Sequence, residues 1–136
     1  MSDYPEVPDP VLNVVRRICT GFPEIDEQRA WTGIRWRVRT KTIAHLLVVE
    51  PGRPEAYSRA ASVDRPTTVL TFRSEPPELE VLVRSGHPFF VTPWGQDSVG
   101  MIIDEFDPEE LRELLTESYC LSAPKKLAES IIRPPG

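Results

Sequence analysis

Four basic residues alternate along one segment of the chain: Arg35, Arg37, Arg39 and Lys41. If this segment is a β-strand, its period of two places the four side chains on one face, about 6.5–7 Å apart. Phosphates along a nucleic-acid strand have a similar spacing, and arginine binds phosphate through two parallel hydrogen bonds. The four residues, which we name the Arg ridge, therefore predict a site for nucleic acid or phosphate anions. The alternative is a solvated strand face that acidic neighbours, such as those in residues 104–117, neutralise.

Two lysines and a tryptophan also have types and positions suited to binding. Lys125 and Lys126 follow Pro124 at the start of a predicted helix, where exposed backbone amides together with lysines can bind an anion. The alternative is a capping turn in which the lysine stems cover Tyr119. Trp94 lies in a loop near prolines, where an indole can stack on a base or anchor a partner protein. It can equally cover the edge of the hydrophobic core.

Enzyme chemistry finds little support in the sequence. The two histidines, His45 and His87, have no cysteine, histidine or carboxylate at a spacing typical of metal ligands. The chain contains no nucleophile-elbow or phosphate-loop motif. Cys19 and Cys120 adjoin apolar helix stripes, so we interpret both as buried thiols. We therefore predict a non-enzymatic protein with no catalytic residues, no metal site and no cofactor.

Length and charge limit the class of protein. The chain has 136 residues, with 16 Lys and Arg against 21 Asp and Glu, which gives a net charge of −5. This length suits one domain. No apolar run reaches the ~20 residues of a membrane span, and the acidic segment 1–10 does not resemble a signal peptide. We predict one cytoplasmic domain over 1–136 with no membrane partner, loose tails at 1–9 and 132–136, and a long loop at 51–66.

The local patterns predict both helices and strands. Prolines that follow a capping residue mark three helix starts: Asp9-Pro10, Asp107-Pro108 and Ser122-Ala123-Pro124. Apolar residues at helical spacing follow each start, and a shorter helix around Leu79–Val83 is predicted to end at Gly86. Alternating or β-branched apolar residues predict four strands: 34–38, 43–49, 67–73 and 99–103. This order favours an α+β fold, with an antiparallel sheet of about four or more strands and helices packed on one face.

Two stretches of the chain resemble the MmcQ/YjbR-like proteins. The first stretch contains Gly21-Phe-Pro-Glu24, Trp31, the segment Trp36–Lys41 and Ala44. The second contains Pro88-Phe-Phe, Thr92-Pro-Trp-Gly95, Val99-Gly100, Asp104 and a closing motif, Glu117-Ser-Tyr-Cys-Leu-Ser-Ala-Pro-Lys-Lys-Leu127. The resemblance covers roughly residues 11–131, which is nearly the whole chain.

This resemblance implies a fold related to that of the frataxin/CyaY-like proteins. It also brings the label of DNA binding, and it transfers no catalytic residues. The acid-rich helix Asp107–Glu117 is similar to the helix by which frataxin-like proteins bind iron. However, Glu109, Glu110 and Glu113 are equally typical of a solvated helix face.

We therefore expect an uncharacterised non-enzymatic binding module. The leading hypothesis is weak, salt-sensitive and sequence-independent binding of DNA or phosphate anions through the Arg ridge, aided by Lys125 and Lys126. The net negative charge opposes approach to a polyanion. The alternative is a protein-interaction or regulatory adaptor that uses Trp94 and the 51–66 loop, with the Arg ridge attracting an acidic protein partner. A third option is a small-ligand or metal-binding protein of the frataxin type.

Overall fold

The computed structural model describes residues 5–92, 97–103 and 106–131. Within these ranges the chain forms five helices and six strands. The helices are α1 (Asp9–Thr20), α2 (Glu55–Ala61), α3 (Glu78–Arg84), α4 (Pro108–Ser122) and α5 (Lys125–Glu129). The strands are β1 (Ile25–Arg29), β2 (Ile34–Val38), β3 (Lys41–Val49), β4 (Thr67–Arg73), β5 (Phe89–Val91) and β6 (Ser98–Ile102).

The six strands form one antiparallel sheet in the order β1-β2-β3-β4-β6-β5. The predicted α+β fold is confirmed, and the four predicted strands correspond to β2, β3, β4 and β6. The two strands absent from the prediction, β1 and β5, lie at the edges of the sheet. An edge strand has a partner on one side only and needs few buried residues, so β1 (Ile-Asp-Glu-Gln-Arg) carries no apolar run that would reveal it.

Helices α1 and α4 cover one face of the sheet and bury the main core against it. Their apolar stripes meet fully buried side chains of the central strands, including Trp36, Leu46 and Leu70. The predicted helix start at Asp107 is confirmed, because its side chain accepts a hydrogen bond from the Glu109 amide at 3.0 Å. Asp9, by contrast, is the first residue of α1, and Pro8 takes the cap position without a side-chain hydrogen bond.

The N-terminal tail is shorter than the predicted 1–9. Val7 is buried in the main core and α1 already begins at Asp9. The Pro8 carbonyl accepts the first helical hydrogen bond, from the Leu12 amide. Burial of an apolar side chain therefore fixes this segment, and the remaining tail residues, 1–4 and 132–136, lie outside the described residues.

The opposite face of the sheet is only partly covered. The 51–66 segment connects β3 to β4 as predicted, and its short helix α2 packs Tyr57 and Ala61 against Leu47, Val49 and Val69. Neighbouring strand residues point to opposite faces, so this small cluster lies on the side away from α1 and α4. Over β1, β2 and the first half of β3, none of the described helices covers this side, which we name the open face.

A β-bulge in β3 shapes the open face. Trp36 pairs with Ala44 whereas Arg37 pairs with Thr42, so Ile43 is an extra residue. The Ser118 hydroxyl of α4 donates to the Ile43 carbonyl at 2.6 Å and accepts from the Arg73 amide at 2.9 Å. This buried serine satisfies backbone groups that the bulge removes from the ladder.

Candidate phosphate-binding site on the open face

The structure divides the Arg ridge. Arg35 and Arg37 belong to β2 and lie on the open face, but the strand ends at Val38. Val38 pairs with Lys41, so Arg39 and Thr40 form a two-residue hairpin turn, and Arg39 has the positive φ of 57° that such turns need. The prediction that four side chains share one face is therefore wrong, because the turn interrupts the period of two.

The other two members of the ridge point elsewhere. Arg39 pairs with Glu24, with Nε 2.9 Å from Oε1. Residues that pair directly in an antiparallel ladder share a face, so Lys41 lies on the same side of the sheet as its partner Val38, whose side chain is in the main core. The candidate site thus keeps two of the four residues, Arg35 and Arg37, which we name the Arg pair.

The Arg pair is held by neutral partners. Arg35 donates through Nε and Nη2 to the Gln28 side-chain oxygen, at 3.2 and 2.9 Å. Arg37 donates to the same oxygen at 3.5 Å and to the Thr40 carbonyl at 3.1 Å. Among the described residues neither arginine forms an ion pair with a carboxylate, and the buried Nε of Arg37 has no hydrogen-bond partner.

Two carboxylates oppose the positive charge of the open face. Asp26 is the register partner of Arg37 and accepts a hydrogen bond from the Gln28 amide. Asp97 pairs with Arg73, at 2.9 Å between Oδ2 and Nη1. The described acidic residues of α4 belong to the helix-covered side, so they do not neutralise the Arg pair as the alternative interpretation required.

A polar pocket of about 250 Å³ lies beside the Arg pair. Thr42 and His45, the register partners of Arg37 and Arg35, form one wall. Tyr57 of α2, with Thr71 and Arg73 of β4, forms another. Arg73 is fixed by a hydrogen bond from Nε to the Thr42 carbonyl at 3.0 Å. Hydroxyl groups and a third guanidinium therefore extend the polar surface across β3 and β4, and Asp97, which also lines the pocket, pairs with that guanidinium.

The buried His45 is held as the neutral tautomer with its proton on Nε2. Nε2 donates to the Thr32 carbonyl at 2.7 Å, which can only accept, so Nδ1 accepts from the Tyr57 hydroxyl at 3.2 Å. Burial lowers the pKa of His45, and the Arg35 charge lowers it further, although the Thr32 bond opposes the shift. Burial also raises the pKa of Tyr57 to about 12. The charge of the site therefore comes from its arginines.

We expect His45 to make folding stability sensitive to mild acid. The unfolded chain binds the proton with an ordinary pKa of 6.5, whereas the folded chain binds it more weakly. The contribution of His45 to folding stability is therefore fully present above pH 6.5 and is lost as the pH falls below 6.5 toward the folded-state pKa. Thermal melts between about pH 7.5 and pH 5, around the usual histidine value of about 6.5, check this.

The matched control for this prediction is His45→Gln. This variant is less stable than the wild type at neutral pH but loses less stability across the same pH interval. Glu27 does not disturb this comparison. The hydrogen bond from Arg16 lowers the pKa of Glu27, so its contribution to folding stability changes only at pH values below the ordinary glutamate pKa of 4.5. Parallel loss of stability in both proteins would contradict the assignment to His45.

The two lysines predicted from the sequence to assist binding are not brought to the open face. Lys125 and Lys126 are exposed in the first turn of α5, which packs on α4 at the helix-covered side. Lys125 lies 3.9 Å from Glu129 in an exposed pair. The prediction that these lysines assist Arg35 and Arg37 is therefore wrong, since the sheet lies between α5 and the open face. Trp94 lies outside the described residues.

Trp31 is an aromatic residue at the border of the site. The sequence interpretation did not include it among the candidate binding residues. It lies in the turn between β1 and β2 with 59% of its surface exposed. Its indole is 6.4 Å from the Tyr57 ring, between centroids, which places it at the border of the open face. Gly33, which has a positive φ of 72°, is a turn residue close after it, but this signal is informative only when β1 is recognised as a strand.

Acidic side chains of the described residues are spread over the surface and do not converge on one point. In the described part of the chain, no three histidine, cysteine, aspartate or glutamate side chains form a group able to hold a metal ion. Glu109, Glu110 and Glu113 are exposed on α4. None of the helices in the described ranges combines the length and apolar composition needed to cross a membrane.

The chain is similar to a protein family and to uncharacterized proteins of two mycobacteria. A family model described as YjbR matches residues 20–121, which include the open face and α4. An uncharacterized protein of Mycobacterium tuberculosis is 28% identical over 122 residues, covering 87% of this chain and 92% of that protein. An uncharacterized protein of Mycobacterium bovis matches to the same extent.

A solved structure has a similar fold. It is the crystal structure of a protein from Pseudomonas syringae, a structural genomics target, with a TM-score of 0.51 and 15% sequence identity. The match covers 74% of this chain and 79% of the other. At this identity the likeness concerns the fold alone.

Proposed function

This chain belongs to the YjbR family, and from the geometry of its open face we propose that it is a non-enzymatic module that binds the phosphates of a nucleic-acid backbone. The observation that carries the proposal is the Arg pair, two neighbouring guanidiniums on one strand face whose hydrogen-bond partners are neutral. An arginine without a carboxylate partner keeps its charge available for an anion. Our proposal therefore takes a nucleic-acid backbone as the ligand and the cytoplasm as the location.

The hydrogen-bonding capacity of the pair supports phosphate rather than a simple counter-ion. The Gln28 oxygen accepts from both arginines, so it orients the two side chains together. The buried Arg37 Nε has a donor that no described residue satisfies, and an unsatisfied buried donor costs free energy. A phosphate oxygen would satisfy it after a change of the Arg37 rotamer, because this nitrogen does not touch solvent in the structure.

The expected affinity is low. Three arginines on and beside the open face (Arg35, Arg37 and Arg73) face Asp26 and Asp97, and the whole chain carries −5. Few base-reading side chains accompany the arginines, so contact with the backbone dominates and sequence preference is weak. Binding that depends on a few phosphates weakens steeply as salt is added.

Fluorescence anisotropy of labelled DNA at several salt concentrations tests the proposal. If the Arg pair neutralises two phosphates, the log–log salt slope is about −1.4 for a single strand and about −1.8 for a duplex. The double variant Arg35→Ala/Arg37→Ala is expected to flatten this slope to near zero and to weaken binding roughly tenfold or more at low salt.

Arg39→Ala is the control, because it removes one arginine charge from the adjacent turn without touching the open face. It should bind DNA much as the wild type does. An equal loss in Arg39→Ala would mean that general charge, and not the Arg pair, attracts DNA. Absence of binding to either form of DNA at low salt would end the proposal.

A second candidate, the protein-interaction adaptor, has one supporting observation on another surface. Val91 of β5 is exposed beside Ala56, Arg59 and Ala60 of α2, and together they line a shallow apolar groove. This groove involves the 51–66 segment, as the adaptor hypothesis expected. It becomes the better-supported candidate if the DNA titration shows no binding.

A further inference from the structure

We propose that the nucleic acid bound at the open face is single-stranded, with one unpaired base stacked on Trp31. This inference rests on the proposed function, since it uses the Arg pair to hold the backbone. It adds the chemical form of the ligand and a second binding residue. The observation behind it is an indole that is 59% exposed at the border of the same surface as the Arg pair.

Two ring contacts and one register pair connect Trp31 to the Arg pair on the folded chain. The Trp31 ring lies 6.4 Å from the Tyr57 ring, and the Tyr57 ring lies 6.1 Å from the His45 ring in an edge-to-face arrangement. His45 is in turn the register partner of Arg35. One side chain of α2 and one of β3 thus connect the indole to the first guanidinium.

The turn that carries Trp31 is well fixed. The Ala30 amide donates to the Gly33 carbonyl at 3.0 Å and closes the turn. The Thr32 carbonyl accepts the hydrogen bond from His45, which anchors the turn to β3. A preorganised aromatic side chain loses little conformational freedom when a base stacks on it, so the rigid turn favours binding.

A single strand suits this arrangement better than a duplex. An unpaired base offers its whole face to an aromatic side chain, whereas the bases of a duplex are already stacked on each other. The pocket of about 250 Å³ is lined by Tyr57, whose ring is 6.4 Å from the Trp31 ring, and it provides hydroxyl groups beyond that tyrosine. A splayed base can use these groups, but a paired base cannot reach them.

Stacking and phosphate contact predict different effects, which makes the inference testable apart from the proposed function. Loss of stacking weakens binding without changing the number of phosphates neutralised. Trp31→Ala is therefore expected to lower the affinity for an oligothymidylate roughly tenfold, within the range of one aromatic–base stack, and to leave the salt slope unchanged. Trp31→Phe should keep most of the affinity.

The titration compares this oligothymidylate with a duplex of equal length, using wild-type protein, Trp31→Ala, Trp31→Phe and Arg35→Ala/Arg37→Ala. We expect the wild type to prefer the single strand, and we expect Trp31→Ala to bind the two forms about equally. Melting curves confirm that each variant is folded. Val91→Ala is the control for nonspecific surface effects, because Val91 is an exposed apolar residue of β5 that lies beside α2.

The outcomes separate the two proposals. If Trp31→Ala binds the single strand as tightly as the wild type while the double arginine variant does not, stacking is wrong and phosphate binding stands. A wild type that binds the duplex more tightly than the single strand also overturns the inference. Absence of binding to both forms overturns both proposals.

Discussion

Gly33→Ala is expected to destabilise the protein by about 3 kcal/mol or more, because backbone strain and steric overlap act together. Gly33 has φ +72°, and a Cβ at this position would overlap the Leu46 carbonyl oxygen and lie 2.9 Å from the Leu47 Cα. These are backbone atoms of β3, so they cannot move aside as a side chain would. The hairpin of β1 and β2 must then shift away from β3.

Gly86→Ala is the matched control for this prediction. Gly86 has nearly the same backbone angle, φ +74°, but a Cβ there would meet nothing within 4 Å. Its substitution carries the backbone strain alone, which is about 1 kcal/mol. Urea denaturation of both variants measures the difference. Equal losses would show that the close approach of the hairpin to β3 is not what requires a glycine at position 33.

Trp36→Ala is the second change with a large expected effect, a loss of about 3–5 kcal/mol for a fully buried tryptophan. The Trp36 side chain is completely buried between the sheet and its helices. Its Nε1 also donates to the Glu27 carboxylate at 2.8 Å, which ties β2 to β1. The substitution leaves a cavity beneath the strand that carries the Arg pair and removes a donor from Glu27.

The same substitution at position 31 is the control. Trp31 is 59% exposed, and replacement of a largely exposed side chain usually changes stability by about 0.5 kcal/mol or less. The two Trp→Ala variants therefore separate roles that sequence alone does not distinguish: Trp36 stabilises the fold, whereas Trp31 is proposed to bind the ligand. Comparable losses in denaturation would refute this division.

The sequence pattern predicts part of the candidate site correctly, namely the Arg pair. The period of two in residues 34–38 correctly places Arg35 and Arg37 on one face, since side-chain direction alternates along any strand. The extension to Arg39 and Lys41 is wrong because the chain turns at Arg39-Thr40. Neither residue is of a type typical of tight turns, so the turn follows from the pairing of β2 with β3.

The sequence by itself determined the helices with proline starts and apolar stripes, the four inner strands, the α+β fold and the shared face of Arg35 and Arg37. These features depend on residues within a few positions of each other. Only the tertiary structure decided that β1 supplies Gln28 to both arginines, that Ile43 forms a bulge beside the pocket, and that Trp31 meets Tyr57. Strand register and helix packing bring these distant residues together, and no local pattern contains that information.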